Sequence, residues 1–198
     1  MMDISIIRGY MLQQRTSLNS TSDFWYDTEN IQLKRRQNNT MSIEKVREHL
    51  KQFGFDNRIQ EFDISSATVE TAAVAVGVEP ARIAKTLAFK DSDNCMLIVT
   101  AGDTKIDNRK FKDLFHFKAR MLSHEETFES TGHAVGGVCP FALPLGIKVY
   151  LDVSLQRFDT VFPAAGSSAS AIELTCTELE QCSGGTWIEV CAIREPEV

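Results

Sequence analysis

The sequence lacks any run of about 20 consecutive apolar residues, the length that a membrane-spanning helix requires. It begins Met1-Met2-Asp3, without the basic segment and apolar run of a secretion signal. Its five cysteines are odd in number and include no Cys-x-x-Cys pair, which argues against a disulfide framework and a zinc site. We therefore expect a cytoplasmic protein with reduced thiols, no membrane contact, and no metal or other cofactor.

An excess of positive charge is also absent. The net charge of −6 argues against DNA binding and against broad, non-specific binding to nucleic acid. The strongest positive cluster contains Lys105, Arg109, Lys110 and Lys112, which are interspersed with aspartates. This cluster is either a solvated helix face or a local docking surface for one end of an RNA.

The length of 198 residues fits one domain with a short appendage. Residues 1–40 are rich in Ser, Thr, Asn and Gln and show no apolar periodicity, which predicts a polar N-terminal extension. Residues 41–198 are predicted to form a single domain. Ser42 is expected to cap its first helix, whose apolar residues recur from Ile43 to Phe53 before Gly54.

Short helices and short strands alternate irregularly through the domain. We predict strands over residues 58–64, 85–90, 95–100, 147–151, 160–162, 171–174 and 187–192, and helices over residues 68–76, 80–84 and 108–115 and after the capping residues Ser123 and Thr175. Full strand–helix–strand crossovers are scarce. The pattern therefore indicates an α+β fold with a mixed sheet or barrel rather than a doubly wound parallel sheet.

Glycine and proline are concentrated between Gly132 and Pro144, where three glycines and two prolines fall within thirteen residues. Glycine lets a backbone adopt positive φ or approach a bound group closely, and proline fixes the direction in which the chain leaves. Successive N–H groups in such a loop can bind an anion or a developing oxyanion. The same composition is equally typical of a tight structural turn.

Three further features could carry chemistry. Lys85 stands in an apolar segment, where its ammonium must reach either solvent or an anionic ligand. Cys139 could be a nucleophile with His133 as its base, but no acidic residue is placed to orient the histidine, so a ligand-contacting or capping role for His133 is favoured. The small and hydroxyl side chains over residues 164–171 form either a polar turn or a wall against which a substrate lies.

These motifs, in this order, resemble the YbaK/prolyl-tRNA synthetase-associated domain family of aminoacyl-tRNA deacylases. The resemblance covers residues 41–192. It rests on Ile83-Ala84-Lys85-Thr86-Leu87, the Gly102-Asp103 turn, the Gly-x-x-x-Pro loop from Gly136 to Pro140 with Phe141, and the Gly166 turn that leads to Ile172-Glu173-Leu174.

The resemblance implies a largely closed, mixed β-barrel surrounded by short helices. It implies hydrolysis of the ester that joins a wrong amino acid to the terminal adenosine of a tRNA, without a metal. Lys85 would hold the phosphate or ribose end of the substrate, and the backbone of Gly136, Gly137 and Val138 would line the ester carbonyl. Further substrate contacts would come from His133, Cys139, Pro140, Phe141, Gly166, Ser167 and Ser168.

The sequence departs from two branches of the family in the turn over residues 165–170. This turn lacks the arginine expected of the cysteine-specific branch and the asparagine-rich pattern of the alanine-specific branch, so the chain looks closer to the EbsC-like branch. The expected function is trans-editing of tRNA that carries a small amino acid, with the tRNA acceptor end and a synthetase as partners. The alternatives are a non-catalytic module that binds tRNA or a nucleotide, and a hydrolase that uses the Cys139 thiol.

Overall fold

The computed structural model describes residues 42–63, 68–92 and 94–194. The predicted N-terminal extension and its boundary with the domain lie outside these residues. Within the described ranges, no helix combines the length and the hydropathy needed to cross a membrane.

Ten strands in the described residues form three sheets. They are β1 (Ile59–Glu61), β2 (Ile83–Asp91), β3 (Asn94–Ala101), β4 (Thr104–Ile106), β5 (Lys148–Asp152), β6 (Thr160–Pro163), β7 (Ser170–Ile172), β8 (Leu174–Thr175), β9 (Thr186–Ile188) and β10 (Cys191–Ile193). The main sheet has six strands in the order β8-β6-β2-β3-β5-β9 and curls into a half-barrel. Two-stranded ribbons pair β1 with β7 and β4 with β10. The main sheet is mixed, with three parallel and two antiparallel pairs of neighbours, which confirms the predicted α+β fold.

Five short helices surround the sheets in the described part of the chain. They are α1 (residues 42–51), α2 (Val69–Val76), α3 (Asn108–Phe115), α4 (His124–Thr131) and α5 (Cys176–Ser183). Capping boxes begin α2, α4 and α5 at Thr68, Ser123 and Thr175, and glycines with positive φ end them at Gly77, Gly132 and Gly184. These local signals explain why the helices match their predicted positions closely.

The two faces of the β2–β3 hairpin contact different cores. Successive side chains of a strand point to opposite faces. Ala84 accordingly packs in a core with Cys139, whereas Phe89 packs in another core with Phe111 of α3. The loop from Gly132 to Pro144, called the glycine loop below, therefore lies on one side of the hairpin, and the basic helix α3 lies on the other.

Three predicted elements differ from the structure because long-range pairing overrides local pattern. The turn that begins at Pro80 ends at Arg82, since Ile83 already pairs with Phe162 of β6. The strand predicted over residues 171–174 is divided into β7 and β8, which pair with β1 and β6 respectively. The strand predicted over residues 187–192 is divided into β9 and β10, which pair with β5 and β4.

Candidate functional site

A cleft of about 330 Å³ follows one edge of β2. On this edge β2 pairs with β6 at Ile83 and Ala84, and Phe89 forms a bridge with Met121. Between these points, no strand in the described residues is paired with the edge. A stretch of backbone in the middle of the main sheet is therefore left open to a ligand.

The two walls of the cleft come from different parts of the fold. Val69 and Ala72 of α2 line one side, and Val135, Gly136 and Val138 line the other. Most of the lining side chains are small or apolar. A ligand in the cleft would thus contact both the α2 side and the glycine loop while lying against the edge of β2.

Thr86 occupies the middle of this open edge. Along an antiparallel strand, the backbone groups of alternate residues point to the same neighbour. Ala88 O accepts a hydrogen bond from Leu122 N at 3.0 Å, and Lys90 N donates to Arg120 O at 2.9 Å, so the even-numbered residues point away from β3. The N–H and C=O groups of Thr86 consequently face the cleft.

The side chain of Thr86 has a buried hydroxyl without a hydrogen-bond partner among the described residues. It lies on the same face of β2 as Ala84 and Ala88, the face against which Val138 packs. The motif Ile83-Ala84-Lys85-Thr86-Leu87 contains Thr86 but does not assign it a role. The signal in the sequence is a hydroxyl residue within an apolar strand.

Lys85 lines the cleft from the opposite face of β2. Its Nζ donates to Gly102 O at 2.9 Å and to Thr104 O. Burial, assisted by repulsion from Arg194, lowers the pKa of the ammonium to about 8, although Asp103 and Glu70 oppose this shift. Lys85 was predicted to reach either solvent or an anion. In the structure, two backbone carbonyls accept hydrogen bonds from its ammonium and hold it beside the cleft.

The glycine loop turns tightly beside the cleft. Gly137 N donates to Ala134 O at 2.9 Å, and Gly136 has a φ of +93°. The Gly137 N–H is therefore engaged within the turn. The structure shows no acceptor for the N–H groups of Gly136 and Val138 among the described residues, which makes these two groups, rather than Gly137, the candidates for binding a ligand oxygen.

The turn over residues 165–170, called the serine turn below, packs directly against the glycine loop. A Cβ on Gly137 would lie 2.6 Å from the Cα and C atoms of Ser167. Ser167 is buried, and its hydroxyl bonds Ser170 Oγ at 3.0 Å. Gly166 has a φ of +95°, and a Cβ there would lie 2.8 Å from Ser42 O. The structure thus brings the two predicted loops together, but Gly166, Ser167 and Ser168 are not among the residues that line the cleft; Ser170 and Ala171 are.

His133 and its neighbours belong to the core. The His133 Nε2–H donates to Phe141 O at 3.0 Å, and Nδ1 accepts from the Ser42 hydroxyl at 2.6 Å. Ser42, predicted as a helix cap, instead joins α1 to this loop. Cys139 and Phe141 are fully buried and Pro140 is also buried. None of the four predicted contacts in this loop (His133, Cys139, Pro140 and Phe141) lines the cleft, so direct substrate contact by them has no support in the geometry.

Any hydrolytic activity that the protein has is expected to survive the substitution Cys139→Ala. The Cys139 Sγ is 3.7 Å from His133 Nε2, but that nitrogen donates to a carbonyl and the thiol has no access to the cleft. We expect a loss of stability of about 1 kcal/mol from the removed sulfur and no loss of turnover per folded molecule. Thermal unfolding and hydrolysis measured on the same preparation test this. Abolished turnover in a folded variant would restore the thiol mechanism.

The predicted basic cluster lies away from the cleft. Phe111 anchors α3 in the core on the other side of β2 and β3. Lys110 pairs with Glu189 at 2.6 Å and Arg109 with Asp113 at 3.9 Å, whereas Lys105 and Lys112 are exposed. Contact of this cluster with tRNA stays a prediction. In the described residues, no group of His, Cys, Asp and Glu side chains is arranged to hold a metal ion.

Comparisons with known proteins point to one family. A family described as "Aminoacyl-tRNA editing domain" matches residues 65–182. The uncharacterized protein YwhH of Bacillus subtilis is 56% identical over 153 residues, which cover 76% of this chain and 98% of that protein. A proline–tRNA ligase of Bacillus velezensis is 28% identical over 90 residues, which cover 45% of this chain and 16% of the ligase.

A solved structure has the same fold. It is described as a candidate trans-editing enzyme for prolyl-tRNA synthetase, with a TM-score of 0.70 and 30% identity, and the match covers 76% of this chain and 97% of that one. The resemblance found in the sequence is thereby confirmed. The residues that carry it, from Lys85 through the glycine loop to the serine turn, all fall inside the matched region. The chain belongs to the aminoacyl-tRNA editing domain family.

Proposed function

We propose that this protein is a trans-editing hydrolase that deacylates mischarged tRNA carrying a small amino acid. The observation that carries the proposal is the arrangement around the open edge of β2. The Lys85 ammonium lies on one side of this edge. The N–H groups of Gly136 and Val138, which have no acceptor among the described residues, lie on the other. Family membership supplies the class of substrate.

The proposed reaction is attack of water on the aminoacyl ester. The carbonyl oxygen becomes an oxyanion, which the N–H groups of Gly136 and Val138 stabilise. Lys85 holds the phosphate or ribose of the terminal adenosine, which orients the ester against the loop. Collapse of the intermediate releases the amino acid and the ribose hydroxyl. An aminoacyl ester is already activated, so positioning and oxyanion stabilisation supply most of the catalysis.

The size of the cleft favours small amino acids. Ala84, Ala88, Ala164 and Ala171 all line it, and Val138 and Leu122 restrict its depth. A larger side chain, such as that of leucine or phenylalanine, would meet these residues. Alanine, serine, threonine and cysteine are the amino acids that we expect the protein to remove.

A panel of mischarged tRNAs tests the proposal. Because two similar proteins are described as a proline–tRNA ligase and as a candidate trans-editing enzyme for prolyl-tRNA synthetase, the tRNA for proline is tested first, charged in turn with alanine, cysteine, serine and threonine. Release of the amino acid is followed against spontaneous hydrolysis, with correctly charged prolyl-tRNA as the comparison. Turnover of at least one small aminoacyl ester is expected. Tight tRNA binding without turnover of any ester would favour the non-catalytic binding module.

The contribution of Lys85 to catalysis is expected to fall as the pH rises through about 8. The ammonium is protonated below this pKa and can hold an anion; above it the charge is lost. The ratio of kcat/KM of the wild type to that of Lys85→Met reports the titration of the Lys85 ammonium, because the titration of the substrate amine affects both proteins equally and cancels. We expect the ratio to fall about tenfold for each pH unit above about 8. A constant ratio from pH 6 to 9.5 would contradict a role for the charge.

A further inference from the structure

We propose that Thr86 recognises the α-ammonium group of the aminoacyl ester, through its side-chain hydroxyl and its backbone carbonyl. This inference rests on the proposed function and specifies which part of the substrate lies at the open edge of β2. The contact would be common to all aminoacyl esters, so it would identify the group being removed without selecting the amino acid.

The unpartnered hydroxyl is the first observation. Thr86 Oγ1 is buried in the described structure without a hydrogen-bond partner. Such an atom destabilises a fold unless a bound ligand or an ordered water supplies its hydrogen bond. Ser170, another hydroxyl residue in the cleft, is already bonded to Ser167. Thr86 is therefore a residue of the cleft whose hydroxyl bonds to none of the described residues.

The unpaired backbone is the second observation. The Thr86 carbonyl faces the cleft between the β6 pairing at Ala84 and the hydrogen bond from Leu122 to Ala88. Together, the carbonyl and the hydroxyl give two oxygen acceptors at one residue. An ammonium group donates up to three hydrogen bonds, so it suits a site that offers acceptors.

The charges around the cleft restrict where a substrate cation can lie. No carboxylate side chain is among the described residues that line it. Lys85 repels a second cation, and its own ammonium points to Gly102 O and Thr104 O on the other face of β2. The face that carries the Thr86 hydroxyl and the loop N–H groups is therefore the better place for the α-ammonium.

The connectivity of the substrate agrees with this placement. In an aminoacyl ester, the carbon that bears the amino group is bonded directly to the ester carbonyl. If the carbonyl oxygen meets the N–H groups of Gly136 and Val138, the amino group must lie close by. Val138 and Thr86 share one face of the β2 edge, so both groups can be held at once.

The test compares two substrates that differ only at the amino group. Alanyl-tRNA carries it, and lactyl-tRNA has a hydroxyl in its place. The variants are Thr86→Val, which removes the hydroxyl and keeps the shape, and Thr86→Ser, which keeps the hydroxyl. Thr177→Val makes the same change at an exposed position of α5 and is the matched control.

We expect Thr86→Val to lower kcat/KM for alanyl-tRNA about tenfold, the effect of one lost hydrogen bond to a charged group, and to leave lactyl-tRNA nearly unchanged. Thr86→Ser should restore the preference for alanyl-tRNA. Equal losses on both substrates would overturn the proposal. The proposal would also be overturned if Thr86→Val changed only the ratio of kcat/KM for seryl-tRNA to that for alanyl-tRNA. In that case the Thr86 hydroxyl would contact the side chain of the amino acid and not its α-ammonium group.

Two further measurements keep the inference separate from the proposed function. Non-hydrolysable amide analogues of alanyl- and lactyl-adenosine report binding even if the wild type hydrolyses no ester, and the same difference at Thr86 is expected in their affinities. The melting temperature of Thr86→Val should equal or exceed that of wild type, because the variant removes a buried unpaired hydroxyl. A binding loss caused by unfolding would instead lower the melting temperature.

Discussion

Lys85→Met is expected to lower kcat/KM for a mischarged tRNA by about 100-fold, which corresponds to about 3 kcal/mol of transition-state stabilisation. The methionine keeps the unbranched stem that lines the cleft but removes the charge that would hold the terminal phosphate or ribose. Steady-state deacylation at pH 7 measures the loss. At this pH the wild-type ammonium is still charged, because its pKa is about 8.

The matched control is Lys90→Met, the same substitution at an exposed position of the same strand. It should retain wild-type activity. Lys85→Met also leaves Gly102 O and Thr104 O without their donor, and we expect a change in unfolding free energy of about 1–2 kcal/mol. Activity is therefore expressed per folded molecule. A folded Lys85→Met protein with undiminished activity would contradict the proposed role of the lysine.

Gly137→Ala is the second substitution with a large expected effect. Its Cβ would meet Ser167 backbone atoms at 2.6 Å, and neither segment has a flexible side chain that could move aside. The glycine loop and the serine turn must then separate, at a cost of about 1–3 kcal/mol in stability. Movement of the loop displaces the N–H groups of Gly136 and Val138, and we expect deacylation to fall about 100-fold.

Gly184→Ala separates the loss of stability from the loss of geometry. Gly184 ends α5 with a φ of +61°, and a Cβ there meets no atom within 4 Å. Alanine in this left-handed conformation costs about 1–2 kcal/mol but leaves the cleft intact. Its activity per folded molecule should match wild type. If Gly137→Ala behaves in the same way, the close contact with Ser167 is structural and does not support catalysis.

The accuracy of the sequence predictions follows the range of the interactions involved. The hairpin of β2 and β3 and the helix ends at Gly77 and Gly132 depend on neighbouring residues, and the structure confirms them. The division between β9 and β10 depends on Asp152, which accepts hydrogen bonds from Val190 N and Cys191 N. That residue is distant in sequence, so no local pattern could reveal the break.

Local sequence patterns were also insufficient to identify which conspicuous residues line the candidate site. The glycine loop and Lys85 were recognisable as motifs, because a lysine in an apolar strand and clustered glycines are unusual by themselves. His133 and Cys139 were equally conspicuous, yet the Ser42 hydroxyl and the Phe141 carbonyl hold the histidine in the core. Burial is a property of the assembled fold, so the residue types could not distinguish a ligand contact from a core contact.

The sequence by itself determined the class of fold, the helix boundaries and the motifs of the family, because capping, strand alternation and glycine spacing are encoded locally. The tertiary structure decided which of these motifs form a site. Among the described residues, it left the edge of β2 unpaired between β6 and Met121, placed Lys85 and Thr86 on opposite faces of that edge, and packed Gly137 against Ser167. Which strands pair with an edge depends on residues that are far apart in sequence, so the local pattern of β2 could not reveal it.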